Sequence, residues 1–293
     1  MKNYLRLLRI HHWIKNFLIF LPLIFNGSLF DVPLFVKTVC GFFAFSLTAS
    51  LLYIINDIAD IDKDRNHPVK CKRPLAAGKI SMKTAYCIAV LLSAAAACGC
   101  FYLITLPQAL AANMILIGYF LMNIAYSHGL KDVPILDIVI LVGGFVLRVL
   151  FGSAVTGIEI SNWLYLTVFA SCTYAALGKR RNELRIARLT AQDVDSPMTR
   201  NVLQFYNFAF LDKNMYVCLG LAITFYAMWS VDAKNAGTPL VWTVPLLIIL
   251  GMKYSLNVEN DSDGDPVEVI LGDKVLLALA VLFAGILAGT LYL

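Results

Sequence analysis

Nine runs of mostly apolar residues divide this 293-residue chain, at roughly 17–31, 34–55, 84–104, 108–127, 134–156, 163–178, 214–231, 239–256 and 275–293. A helix needs about 20 such residues to cross the hydrocarbon of a bilayer. No water is present there, so each spanning segment must satisfy its own backbone hydrogen bonds. The first run is short and contains Pro22, and the sixth is short with an end that can extend to about 178–181. Composition agrees with spanning: 59% of residues are apolar and 15% charged, against about 45–50% and about 25% in soluble domains. An ordinary cytosolic enzyme, a disordered chain and a nucleic-acid binder are excluded. The expected fold class is an all-α polytopic membrane protein with nine transmembrane helices, residues 1–293 forming a single transmembrane domain. The seven cysteines are scattered and form no CxxC pair, so they read as small buried thiols rather than a zinc or disulfide framework.

Charge orients the spans. The start, MKNYLRLLRIHHWIKN, is basic and amphipathic, and no small-x-small cleavage site follows it, so no cleavable signal peptide is expected. With the N-terminus inside, segments 1–16, 56–83, 128–133, 179–213 and 253–274 hold 21 of the 24 basic residues. Lys37 and Lys234 lie outside, and Arg148 lies within the membrane. That is the bias expected of cytoplasmic loops. The outer loops are short, which excludes an external receptor domain. Fifteen of the nineteen acidic residues also fall in the inner segments, bunched after spans two and eight. Chemistry is therefore expected on the inner face.

Span two ends in YIINDIADIDKDRNHPVKCKRPLAAGKIS. Continuing the helix with Asn56 at 0°, Asp57 falls at roughly 100°, Asp60 at roughly 40° and Asp64 at roughly 80°, while Asp62 falls at roughly 240°. Asn56, Asp57, Asp60 and Asp64 thus share one stripe. Carboxylates so close repel one another unless a cation sits among them, and hard oxygen ligands beside a substrate phosphate suit Mg²⁺. The bland alternative is a hydrophilic cap on a helix end. Beyond the stripe come Lys63, Arg65, His67, Lys70, Lys72, Arg73 and Lys79, a set that suits a polyphosphate and equally suits anionic lipid. Arg73 is the candidate for substrate. Pro74 and Gly78 imply a turn folding this strip back over the stripe.

Span eight ends in KYSLNVENDSDGDPVEVILGDK. It fails as an EF-hand, which needs Asp first and Glu twelfth; those places hold Glu259 and Ile270. What remains is a second acidic loop, with Asp261 and Asp263 as candidate metal ligands, or simply a polar connector. Together the two clusters suggest one or two divalent-metal sites with diphosphate between them. Basic partners come from elsewhere: Lys15 beside Trp13 and Asn16; Tyr126 and Lys131 between spans four and five; Lys179, Arg180 and Glu183 where span six leaves the membrane. Arg148 and Asp137, charged and in or near hydrocarbon on span five, are expected to be functional or paired.

NDIADIDKD (56–64) followed by KRPLAAG (72–78) resembles the first aspartate-rich motif of the UbiA superfamily of intramembrane prenyltransferases. HHWIKN (11–16), AYSHGLKDVPILD (125–137), LGKRRNEL (177–184) and GDPVEVILGDK (264–274) resemble its decaprenyl-phosphate phosphoribosyltransferase branch. The resemblance implies a nine-helix UbiA-like prenyltransferase fold in a bacterial inner (plasma) membrane, with a cytoplasmic N-terminus and active site. It implies Mg²⁺-dependent transfer of 5-phosphoribose from 5-phosphoribosyl 1-diphosphate to a polyprenyl phosphate, releasing diphosphate, toward cell-wall glycans. A homotrimer is known in the branch. Asn56, Asp57, Asp60 and Asp64 would hold the metal and donor diphosphate, with Asp57, Asp60 and Lys179 catalytic. The second motif would fall on Asn257 and Glu259, or on Asp261 and Asp263. Two alternatives stand beside this: transfer of the prenyl group itself from its diphosphate to an aromatic or glycerol-phosphate acceptor, and a membrane transporter, although a transporter would place its charges nearer the midplane.

Overall fold

The computed structural model describes residues 2–65, 70–103, 108–190, 201–232, 238–259 and 266–292. Every element in them is helical, with no strand among the described residues. The chain forms two compact units: Met1–His128 with Leu147–Glu159, and Gly129–Val146 with Ile160–Leu293.

In the first unit, α1 (Lys2–Leu7) leads into a 3-10 helix (Ile10–Phe20) and α2 (Leu21–Phe25). The expected first span is thus a broken, tightly wound segment rather than one α-helix. A long α3 (Val32–Ala59) follows, capped by the Asp31 carboxylate accepting from the Leu34 N–H at 3.1 Å. After it come α4 (Ile61–Arg65), α5 (Met82–Leu103) and α6 (Ala109–Ser127). Helix α3 is the hub, packing on the 3-10 helix, α5 and α6. Ile19, Phe45, Leu52, Leu116, Tyr119 and Phe151 form one buried cluster around it. The 3-10 helix comes so close to α7 (Leu136–Thr156) that a Cβ at Gly152 would lie 2.0 Å from the Ile19 carbonyl oxygen. Only a glycine admits the two backbones there.

In the second unit, α8 (Asn162–Thr190) packs along α9 (Phe208–Ser230), and α10 (Val244–Glu259) packs on α12 (Lys274–Tyr292), with the short α11 (Pro266–Gly272) between them. Span six was expected at about 163–178, with an end that can extend to about 181; the helix that carries it, α8, continues through the charged run to Thr190. Its charges explain why it does not unwind on leaving the apolar stretch, since Arg180 and Arg181 both find carboxylates.

Among the described residues, seven helical stretches are long and apolar enough to cross a membrane: Val32–Ala59, Met82–Gly99, Ala109–Ser127, Leu136–Thr156, Phe208–Ser230, Pro239–Glu259 and Lys274–Tyr292. The 3-10/α2 segment is shorter, and the charges of α8 gather in its last part, Lys179 to Arg188, after an apolar stretch over 162–178. This is a multi-pass membrane protein.

Candidate functional site

The aspartate stripe does not continue as one helix. Helix α3 stops at Ala59, and Asp60 takes the cap position with φ −99° and ψ 11°, before α4 restarts at Ile61. Backbone bonds Asp60 N–H to Asn56 O (2.9 Å) and Asp64 N–H to Asp60 O (2.8 Å) keep the turn nearly helical across the break. Asp57 and Asp64 are therefore still brought together, each only 3% exposed, with Asn56 and Asp60 half-buried on the same rim. Asp62 points away, its side chain 89% exposed and 3.4 Å from Arg65.

Two guanidiniums sit among these carboxylates. The turn after the Lys70–Lys72 3-10 helix, closed by Gly78 at φ 68°, returns Arg73 to the stripe. Arg73 Nη1 donates to Asp64 Oδ2 at 2.6 Å and lies 3.2 Å from Asp57 Oδ1. Arg9 Nη2 donates to the same Asp57 oxygen at 2.6 Å, its guanidinium resting 4.5 Å from the Tyr53 ring centre. Sequence reasoning missed Arg9, which stands 48 residues from Asp57. Nothing local distinguishes it from the other N-terminal cations.

The oxygen-rich donor set fits a hard divalent cation such as Mg²⁺, which tolerates few protein ligands and keeps water. Among the described residues no three His, Cys, Asp or Glu side chains gather as a metal shell. A cation at Asp57 and Asp64 would complete its shell from water and a bound phosphate. Asp261, Asp263 and His67 lie outside the described residues.

Deeper in the same unit, Arg148 is 7% exposed. Its Nε donates to Asn16 Oδ1 at 2.7 Å and its Nη2 to the Tyr119 hydroxyl at 3.0 Å, while the Asn16 amide donates to Ser46 Oγ at 2.8 Å. Arg148 also lies over the Phe45 and Tyr119 rings, at 5.2 and 5.0 Å. It thereby ties the 3-10 helix to α3, α6 and α7, and seats Lys15, half-buried beside Asn16. Tyr126 is half-buried near the end of α6.

The second unit corrects one expectation. Arg180, expected to grip a substrate phosphate, is wholly buried and bound to carboxylates of its own unit. Its Nε donates to Asp137 Oδ2 and its Nη1 to Glu183 Oε2, both at 2.5 Å. Burying a guanidinium is tolerable only where such partners replace water, so Arg180 is a brace, with Glu183 as one of its partners. Arg148 and Asp137, both on α7, are not each other's partners; each serves a network in its own unit. The Asp137 Oδ1 accepts from the Tyr206 hydroxyl at 2.5 Å, and the Ile135 N–H donates to that hydroxyl at 2.6 Å. Burial and the bond to Asp137 push the Tyr206 hydroxyl above the usual tyrosine range, so it stays a donor. Lys179 is half-buried at the start of this charged turn of α8, and Lys131 half-buried in the 3-10 turn Leu130–Asp132.

At the end of α10, Asn257 Oδ1 accepts from Lys253 Nζ at 3.1 Å, and Glu259 Oε1 from the Tyr216 hydroxyl at 2.5 Å. Lys253 also pairs with Asp273 at 2.7 Å. That bond and the Leu276 N–H pull the Asp273 carboxyl down to about 2. A sequence signal for this region was there to find. Laying 254–265 over 53–64 matches Tyr254 to Tyr53, Asn257 to Asn56, Asp261 to Asp60, Asp263 to Asp62 and Asp265 to Asp64, with Val258 in place of Asp57.

Apolar helices of spanning length, with paired carboxylates and guanidiniums at a charged helix end, define a multi-pass membrane protein with a polar site where the chain leaves the hydrocarbon. The chain belongs to the UbiA prenyltransferase family, whose model matches residues 17–269. It is 32% identical over 294 residues to the decaprenyl-phosphate phosphoribosyltransferase of Corynebacterium glutamicum, covering 97% of this chain and 86% of that one. To the protein of the same name from Mycolicibacterium smegmatis it is 29% identical, covering 98% and 92%. Its fold matches a UbiA homolog from Archaeoglobus fulgidus solved with GPP and Mg²⁺, with TM-score 0.68, 18% identity and coverage of 98% and 99%.

Proposed function

We propose that this chain transfers 5-phosphoribose from 5-phosphoribosyl 1-diphosphate to a polyprenyl phosphate, releasing diphosphate, on the cytoplasmic face of a bacterial plasma membrane. The observation that carries this reading is the near full-length match to relatives named for that activity. Residues 1–293 act as one functional domain with the N-terminus inside, consistent with the charge bias of the loops. The homotrimer implied by the resemblance is the assembly proposed.

The acceptor phosphate oxygen attacks C1 of the ribose as the C1–O bond to diphosphate breaks. That oxygen is already anionic, so no strong general base is required. The difficulty is holding two anions together, and preorganised cations do this best where water is scarce. Arg73, with Lys15, Lys131 and Lys179, supplies that charge; Tyr126 borders the acceptor. Asn56, Asp57, Asp60 and Asp64 would hold Mg²⁺, which when bound would stabilise charge on the departing diphosphate; Asp261 and Asp263 are the candidate ligands of the second acidic loop. Asp57 and Asp60 position the donor, and Arg73 moves between the Asp57 and Asp64 carboxylates and the diphosphate.

The test is turnover by purified protein. With Mg²⁺, 5-phosphoribosyl 1-diphosphate should be consumed only when polyprenyl phosphate is present, with diphosphate released. One specific observation favours a second reading, because the family model that the chain matches over residues 17–269 is named for prenyl transfer. If the protein ignores the sugar and turns over a polyprenyl diphosphate with an aromatic or glycerol-phosphate acceptor, that second reading replaces the first.

A further inference from the structure

Among the described residues, only Arg9 and Ile135 have left-handed backbones without being glycine, and Ile135, at φ 67°, is β-branched. Its side chain is 57% exposed, so burial does not offset the conformation. A β-branched residue persists there only when its surroundings force it to, and such residues gather at working parts of proteins. What forces Ile135 is visible. Its N–H is taken by the Tyr206 hydroxyl at 2.6 Å, and that hydroxyl is oriented by Asp137 at 2.5 Å. Asp137 is fixed in turn by the buried Arg180 at 2.5 Å. On its other side, the Ile135 carbonyl accepts from the Ile138 and Val139 N–H groups at 3.0 and 2.9 Å and starts α7. The segment held in this way includes the turn Leu130–Asp132, tied by Asp132 N–H to Gly129 O at 3.0 Å and Val133 N–H to Leu130 O at 3.3 Å. Lys131 is carried on that turn.

We propose that Tyr206 is a positioning residue: by holding Ile135 left-handed it fixes the turn that presents Lys131 to a substrate phosphate. The inference rests on the phosphoribosyl-transfer reading for the identity of the substrates, and not for the backbone device itself. The phosphate belongs either to the sugar donor or to the lipid, and Lys131 would bind the two by the same chemistry. Replacing Tyr206 by phenylalanine isolates the hydroxyl, because the ring keeps its stack on Phe210, 5.9 Å away and tilted by 9°. Without the hydroxyl, Ile135 keeps only the bonds to its carbonyl, its N–H loses the bond that fixes the left-handed backbone, and the turn relaxes. Glycine takes that conformation without cost to its side chain, so Ile135→Gly should no longer need Tyr206.

Kinetics and backbone hydrogen exchange on the full-length protein test this. Tyr206→Phe should raise KM for one of the two phosphate-bearing substrates about tenfold, the size of the left-handed penalty, with kcat nearly unchanged. The double variant Tyr206→Phe/Ile135→Gly should return to near the wild-type KM. Lys131→Gln should raise KM for the same substrate, and adding Tyr206→Phe to it should do little more. The substrate affected identifies whose phosphate is bound. Wild-type KM values in Tyr206→Phe, or an effect that Ile135→Gly does not rescue, overturn the proposal. If the wild type does not use the sugar donor, the functional reading fails by itself. Exchange then decides the device: amides of 130–133 and 135–137 should exchange faster in Tyr206→Phe than in wild type, and equal rates refute it.

Discussion

Replacing Arg180 by methionine separates a brace from a ligand. The Arg180 and Asp137 side chains are both 0% exposed and meet at 2.5 Å. Truncating one partner of such a pair leaves the other charge buried, which typically costs about 3–5 kcal/mol. The companion bond to Glu183 adds little, since that side chain is 27% exposed and water can replace the guanidinium. Asp137 would keep the Tyr206 hydroxyl, which places the expected loss near the lower end, about 3 kcal/mol. Removing both charges, as Arg180→Met/Asp137→Leu, should recover most of that loss, because a well-packed apolar pair avoids the desolvation altogether. The assay is thermal unfolding of the detergent-purified protein, followed by intrinsic fluorescence and by the fraction remaining monodisperse. With Asp137→Leu measured alone as well, the double variant closes the cycle whose coupling marks a direct pair. An Arg180→Met protein with the wild-type midpoint and a sharply raised KM for a phosphorylated substrate would refute the argument and return Arg180 to the binding site.

Two further predictions follow from the same geometry. Asp60→Asn should lower turnover at least about 100-fold while leaving folding intact, since one charge is lost where donor and metal are proposed to bind; Asp62→Asn, on a side chain 89% exposed, should be nearly neutral in the same assay. Gly152→Ala should lower thermal stability by about 3 kcal/mol or more, because its Cβ would lie 2.0 Å from the Ile19 carbonyl oxygen, whereas Gly118→Ala, with nothing within 4 Å of the added carbon, should cost nothing measurable.

Where a span lies is a local property. Hydrocarbon demands an unbroken apolar run whose backbone bonds internally, so the sequence alone located helices such as Leu136–Thr156 and Lys274–Tyr292 to within a few residues. It also placed Asn56, Asp57 and Asp64 near one another and turned Asp62 away, because i, i+4 spacing survives even the cap at Asp60. In two spans tertiary contacts set what composition does not, the winding of the helix and where it ends. The first winds tightly against Gly152, and α8 runs on to Thr190 because Asp137 and Asp212 receive its arginines. Which cation serves which carboxylate was beyond any local reading. Arg9 reaches Asp57 across 48 residues and Tyr206 reaches Asp137 across 69. Lys179 and Arg180 are neighbours of equal charge, yet one is half-buried and the other sealed inside. A charge shows in sequence; whether water still reaches it depends on the helices that close around it, and that decided which basic residues brace the protein and which remain candidates to bind a phosphate.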